Sequence, residues 1–142
     1  IRTTMLVGYP GETEKDFELL LEFVKETRFS RLGAFVFSPE ERSIAAKLPN
    51  QIPYEVAKER TNELLELQRK VMEEDNKKLI GTQTSVLIEK LSDEGLLQGR
   101  TRLQAPEVDG DVFLNRTEAA PGEIITGKIV ETDGINLIIE KK

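Results

Sequence analysis

Cysteine and histidine are both absent from the 142 residues. Without Cys there is no disulfide, no thiolate nucleophile and no sulfur ligand for zinc or an iron–sulfur cluster. Without His the usual general base at neutral pH and the commonest metal ligand are missing too. Proton chemistry is left to carboxylates, Lys or Tyr. The expectation is that this chain carries no catalytic and no metal-ligating residue of its own. Apolar runs are short, as in Val86-Leu87-Ile88 and Leu137-Ile138-Ile139, so no stretch reaches the length of a membrane span or a signal-peptide core. Positive charge is also scarce: 20 Lys and Arg stand against 26 Asp and Glu, a net of −6. That balance argues against a generic binder of phosphate backbones, which needs a basic face. The deficit lies mostly after Ile80. Residues 79–142 hold seven basic against eleven acidic side chains, and the remainder, 13 against 15, is nearly balanced.

What is present suits a soluble globular protein of one ordinary domain or two small ones, with 38% hydrophobic residues. The opening forty residues read as strand, helix, strand. The segment TTMLV is apolar and rich in strand formers. In Tyr9-Pro10-Gly11-Glu12 the Pro-Gly pair fits the two central positions of a type II turn. Thr13 has the character of an N-cap, with Asp16 three residues on as a weak capping box. Phe17, Leu20, Leu21 and Val24 then recur at helical spacing to about Thr27. LGAFVF is a second buried strand. This order predicts a right-handed βαβ crossover with parallel strands. Two such strands cannot enclose a core, so residues 1–52 are expected to be a piece of a larger α/β unit.

Residues 38–52, SPEERSIAAKLPNQI, have no clear period and are expected to be a loop. Pro53 suits a helix start, and Leu64, Leu67 and Val71 mark one face of a connecting helix over 53–79. From Thr82 the period becomes alternating. TSVLIEKL, LLQGRTRL, DVFL, EIITGKIV and NLIIEK are five strand candidates separated by turn-rich segments. Five short strands in about sixty residues suggest a small antiparallel barrel resembling an oligonucleotide-binding fold over 80–142. The fold class expected is therefore α/β followed by all-β.

Three places are candidates for function. VGYPGE follows a strand and opens a helix, where α/β proteins put ligands; from local sequence it reads first as a turn feeding a capped helix, and it lacks the Lys-Ser/Thr of a P-loop. Glu40-Glu41 ends the second strand and reads as a pair of site acids or a pair of solvated ones. The turn APEVDG carries Glu107 and Asp109 and reads as a strand connector or as a grip for a basic partner. Tyr9 and Tyr54 are expected to be packing residues.

RTTMLVGYPGETEKDFELLLEFV, FSRLGAFVFSPEERSIAAKLP and ERTNELLELQRKV, in this order, resemble the end of the radical-SAM barrel of methylthiotransferases. The long helix and five-strand pattern that follow resemble the lead into that family's TRAM domain. Ser38-Pro39-Glu40-Glu41 and QAPEVDGDVFL are similar to the branch that modifies a ribosomal protein (RimO type). The tRNA-modifying branch (MiaB type) tends to carry Arg-Pro-Gly after Tyr-Ser-Pro in that loop. Arg42-Ser43-Ile44 departs from the usual Gly-Thr-Pro. The resemblance implies methylthio transfer to the β-carbon of an aspartate in the twelfth small-subunit ribosomal protein, using S-adenosylmethionine and two 4Fe–4S clusters. It implies that the cluster cysteines lie in an amino-terminal part outside this sequence. Gly8, Pro10 and Gly11 would wall the S-adenosylmethionine pocket, and Glu40, Glu41, Glu107 and Asp109 would dock substrate. The implied partner is a basic ribosomal protein rather than tRNA, in the cytoplasm and without a membrane. A tRNA methylthiotransferase, or a non-catalytic binding module, are the alternatives.

Overall fold

The computed structural model describes residues 1–92, 95–106, 108–115 and 119–141. They divide into two units, Ile1–Val71 and Met72–Lys142.

In the first unit, β1 (Arg2–Val7) and β2 (Arg31–Val36) pair in parallel, from Arg2 opposite Arg31 to Val7 opposite Val36. Between them runs α1 (Glu14–Thr27). The turn that feeds α1 is the expected type II turn: Gly11 has φ +90° and the Glu12 N–H donates to the Tyr9 carbonyl at 2.9 Å. Thr13 caps the helix in a complete capping box, accepting from the Asp16 N–H at 3.2 Å while its own N–H donates to the Asp16 carboxylate at 2.9 Å. Phe17 and Val24 of α1 meet Val7, Phe29 and Leu64 in a small core. Truncating a residue as buried as Leu64 to Ala in such a core costs about 2–5 kcal/mol. Only one face of the ladder is covered this way. Leu6 and Phe35, opposite each other on the other face, are 52% and 66% exposed.

The aperiodic stretch after β2 is tied by its own hydrogen bonds. Ala45–Lys47 form a 3₁₀ turn, and Gln51 Nε2 donates to the carbonyls of Ala45 and Leu48, each at 2.9 Å. Helix α2 (Tyr54–Lys78) follows. Its buried stripe in the first unit is not wholly apolar: Ala57, Leu64 and Val71 alternate with Arg60, Thr61 and Gln68, all buried. Each polar member has a partner. Thr61 Oγ1 donates to the Ala57 carbonyl at 2.8 Å and Gln68 Nε2 to the Phe29 carbonyl at 2.7 Å. Tyr54 is 62% exposed, so the expectation that it packs does not hold; it is the first residue of α2.

In the second unit, β3 (Gln83–Leu91), β4 (Leu97–Arg100), β5 (Val112–Asn115), β6 (Ile124–Asp133) and β7 (Asn136–Lys141) close into a barrel of order β3-β4-β5-β7-β6. Alternate residues point inward, and Val86, Ile88, Leu97, Val112, Leu114, Ile125, Ile129, Leu137 and Ile139 form its core. At Gly99 and Gly127 a side chain would run into the Leu87 main chain and into Ile139, so the wall is closely fitted there. Two expectations are corrected. The barrel is not wholly antiparallel, because β5 and β7 pair in parallel. A ring with an odd number of strands cannot alternate direction all the way round. The second strand candidate, LLQGRTRL, is also shorter than its pattern: β4 stops at Arg100, because Thr101 and Gln104 build a turn instead.

Candidate functional site

Gly8 closes β1 with φ +83°, and a side chain there would collide with the Ala57 side chain on α2. The glycine is needed because a helix lies against it. Its N–H donates to Glu12 Oε2 at 2.9 Å. The other oxygen, Glu12 Oε1, takes Arg60 Nη1 at 2.8 Å, while Arg60 Nη2 reaches Glu14 Oε2 at 2.7 Å. The Arg60 guanidinium also lies 5.4 Å over the Phe17 ring. Burial pulls the pKa of Arg60 down, but the hydrogen bonds and charges of Glu14 and Glu12 outweigh it, and the net shift is upward. Arg60 and Glu12 are both nearly buried. Removing one would strand the other's charge, the costly way to break such a pair. One buried arginine on α2 therefore clamps both ends of the Gly8–Glu14 turn.

The three residues expected on the ligand side of this turn differ. Gly8 is buried and committed on two sides; Pro10 is half-buried; Gly11 is exposed, with open space where a side chain would project and its N–H donating to the Asn50 carbonyl at 2.9 Å. Tyr9 packs edge-on against Phe37, ring centroids 5.3 Å apart.

Glu40 and Glu41 are exposed in the loop after β2. Glu40 is held locally, its N–H donating to the Ser38 carbonyl at 3.0 Å and its carboxylate accepting from Ser38 Oγ at 3.1 Å. In the divergent Arg42-Ser43-Ile44, Ser43 Oγ accepts from the Ala46 N–H at 3.1 Å and so is tied to the 3₁₀ turn. Ile44 is left exposed.

On the barrel, the APEVDG turn is built from within. Asp109 is 3% exposed and its carboxylate accepts the Ala105 N–H at 2.6 Å. Gln104, also buried, ties both ends of the loop. Its Oε1 accepts from the Thr101 N–H at 3.0 Å, and its Nε2 donates to the Gly110 carbonyl at 3.1 Å. Asn136 Oδ1 then takes the Asp111 N–H at 2.9 Å. Asp109 thus shapes the loop and does not lie open to a partner, in contrast to its expected place on a docking surface. Glu107 lies outside the described residues. The sequence reading missed Arg60 and Gln104. The available signal for Arg60 was its place, three residues from Ala57 and four from Leu64, on an otherwise buried stripe. Gln104 carried no local signal, since its partners lie in a loop whose path the sequence does not specify.

Among the described residues no cluster of His, Cys, Asp or Glu is gathered as a metal ion would need, and no helix is long and apolar enough to cross a membrane.

Residues 80–140 match the TRAM domain family. Over 140 residues the chain is 44% identical to a ribosomal protein uS12 methylthiotransferase RimO of Myxococcus xanthus, covering 97% of this chain and 29% of that protein. Proteins of the same name from Salmonella arizonae and Escherichia fergusonii are 41% and 42% identical over 138 residues, covering 96% of this chain and 31% of each. The chain therefore spans a little under a third of the length of the curated relatives it matches.

Proposed function

We propose that the chain is a piece of a RimO-type methylthiotransferase and so forms part of an enzyme that methylthiolates a basic ribosomal protein of the small subunit. The observation that carries this reading is identity running through both units and the helix between them, over 97% of the chain. In it, residues 1–52 are the end of a radical-SAM barrel, 53–79 a connecting helix and 80–142 a TRAM domain. The bare apolar pair Leu6 and Phe35 on a two-stranded parallel ladder supports the first assignment, because parallel strands are ordinarily covered on both faces within larger sheets. The product would be an aspartate of that ribosomal protein methylthiolated at its β-carbon, in the cytoplasm.

The cofactors of this reading are S-adenosylmethionine and two 4Fe–4S clusters, which together supply radical chemistry and sulfur. With no Cys and no His, this chain offers nothing to hold a cluster, so those ligands are assigned to the rest of the enzyme. Toward S-adenosylmethionine the fit is partial. Gly8 faces Ala57 and its N–H is already engaged, whereas Gly11 leaves its outer side open. The chain's own contribution is structural: Arg60 and Glu12 fix the turn at the end of β1, and Gly11 with Pro10 is its open edge.

Substrate docking is assigned to acidic residues in each of the two units. Glu40 and Glu41 are the exposed acids, and Asp109 acts indirectly by holding the APEVDG loop in shape. The net of −4 over residues 79–142 attracts a basic protein and repels a polyanion. The 142-residue chain is expected to bind recombinant ribosomal protein uS12 with an affinity that falls steeply as salt rises, and to bind tRNA weakly at physiological salt. Tighter binding of tRNA than of the ribosomal protein would refute the assignment in favour of a tRNA-modifying relative.

A further inference from the structure

The barrel wall has a notch beside the first half of β3. β3 runs for nine residues and β4 for only four, so β4 pairs with Leu87–Leu91 and, among the described residues, Gln83–Val86 have no neighbour on that side. The alternation of antiparallel pairing decides which main-chain groups are left there. The carbonyls of Thr82 and Ile88 accept from Ile129 and Gly122, on the β6 side. The even-numbered residues therefore serve β6, and Gln83 and Ser85 turn their N–H and C=O groups toward the notch. Beyond Arg100 the chain bends away into the Thr101–Gln104 turn. The resulting opening is about 530 Å³, lined by Thr84, Ser85, Thr101 and Arg102 with Ile129 and Leu137 among its apolar walls. That is within the range of sites that hold a ligand.

We propose that this notch receives an extended segment of a partner polypeptide, which adds to the barrel as a strand along Gln83–Ser85. Main-chain donors and acceptors at strand spacing that no ladder bond uses among the described residues are what another backbone pairs with; the Ser85 carbonyl meets only the Thr84 hydroxyl, at 3.5 Å. Hydroxyls and the Arg102 guanidinium at the rim supply further donors to the segment's carbonyls. A single-stranded nucleic acid fits worse, because stacking platforms are needed for bases and Phe113 is the sole aromatic residue in 79–142. The acidic balance of the same residues also favours a basic polypeptide. That the segment belongs to the ribosomal protein rests on the function proposed above; the notch and its pairing groups do not.

Hydrogen exchange on the 142-residue chain, with and without recombinant ribosomal protein uS12, tests this directly. The Gln83 and Ser85 amides should slow at least about tenfold in the complex. Ser85→Pro removes an N–H that serves no ladder bond within the barrel; it should weaken binding about tenfold, the loss of one well-made hydrogen bond together with a poorer fit. Ser85→Ala, which keeps that N–H and loses only the hydroxyl, should weaken binding far less than Ser85→Pro does. If Ser85→Pro does not fold, exchange in the unaltered chain decides alone. Full-strength binding of the ribosomal protein with no slowing at Gln83 and Ser85 would overturn the notch and leave the docking assignment standing. Slowing there by tRNA and not by the protein would overturn the polypeptide occupant. No binding of the ribosomal protein at all would overturn the docking assignment and this inference with it.

Discussion

Gly8→Ala should be among the most damaging single-methyl changes available in the first unit. At φ +83° an L-residue carries a backbone cost of about 1–2 kcal/mol. The new methyl also meets the Ala57 side chain, and forcing an extra carbon into a fitted contact adds about 1–3 kcal/mol. The expected loss is about 2–5 kcal/mol, a large share of the 5–15 kcal/mol typical of a whole domain. The unit can be watched by itself, because the chain has no Trp and its two tyrosines, Tyr9 and Tyr54, both lie in it. Urea unfolding followed by tyrosine fluorescence should show the loss as an earlier midpoint at unchanged slope. A cycle with Ala57→Gly separates the two causes. The double variant should regain the steric part, about 1–3 kcal/mol, while keeping the backbone cost and losing about 1 kcal/mol of helix propensity at residue 57. A Gly8→Ala loss below about 0.5 kcal/mol, the noise of an ordinary surface change, would refute the close approach of α2. So would a cycle with no coupling between the two positions.

Two further outcomes follow from the caps and loops. Gln104→Ala should destabilise the barrel by about 2–3 kcal/mol, since it leaves the Thr101 N–H and the Gly110 carbonyl without their partner; a thermal melt no lower than the parent's would contradict this. Asp16 should titrate below the ordinary carboxylate range, because the Thr13 hydroxyl and then the Thr13 N–H hydrogen-bond its charged form. A lowered folded-state pKa means that its contribution is complete above the unfolded-state pKa and fades as pH falls through the folded one. Carboxyl titration by NMR should find that Thr13→Ala moves Asp16 back up, and an unchanged value would dismiss the capping box as its cause.

The local elements were legible because their signals are local. Pro-Gly before Thr13, and apolar residues at 17, 20, 21 and 24, specify a turn, a cap and a helix whatever lies around them. The alternating strands of the barrel were equally plain. What escaped was set by partners distant in sequence. Gly8 looked like an approach to a ligand, and only the path of α2 shows that the approaching group is Ala57. Asp109 looked like an exposed acid because acids in turns usually are, whereas here it accepts the Ala105 N–H from inside the loop. The end of β4 was invisible in LLQGRTRL because Thr and Arg suit a strand as well as a turn. That the ring holds a parallel joint was available from counting alone, since five strands closed in a ring cannot all alternate; that it joins β5 and β7 was not.

That odd ring has a consequence for how the barrel forms. β3 with β4, and β6 with β7, are hairpins that need only short loops to close. The β3–β6 and β5–β7 ladders join residues far apart in the chain, and such pairings carry the larger entropic cost and form late. β7 is the strand seated between β5 and β6. Until the β5–β7 ladder closes, β5 and β7 each keep a bare edge, and bare edges are where chains recruit one another. Ile139, buried to 0% exposure at the centre of β7, therefore guards against self-association during folding as well as filling the finished interior.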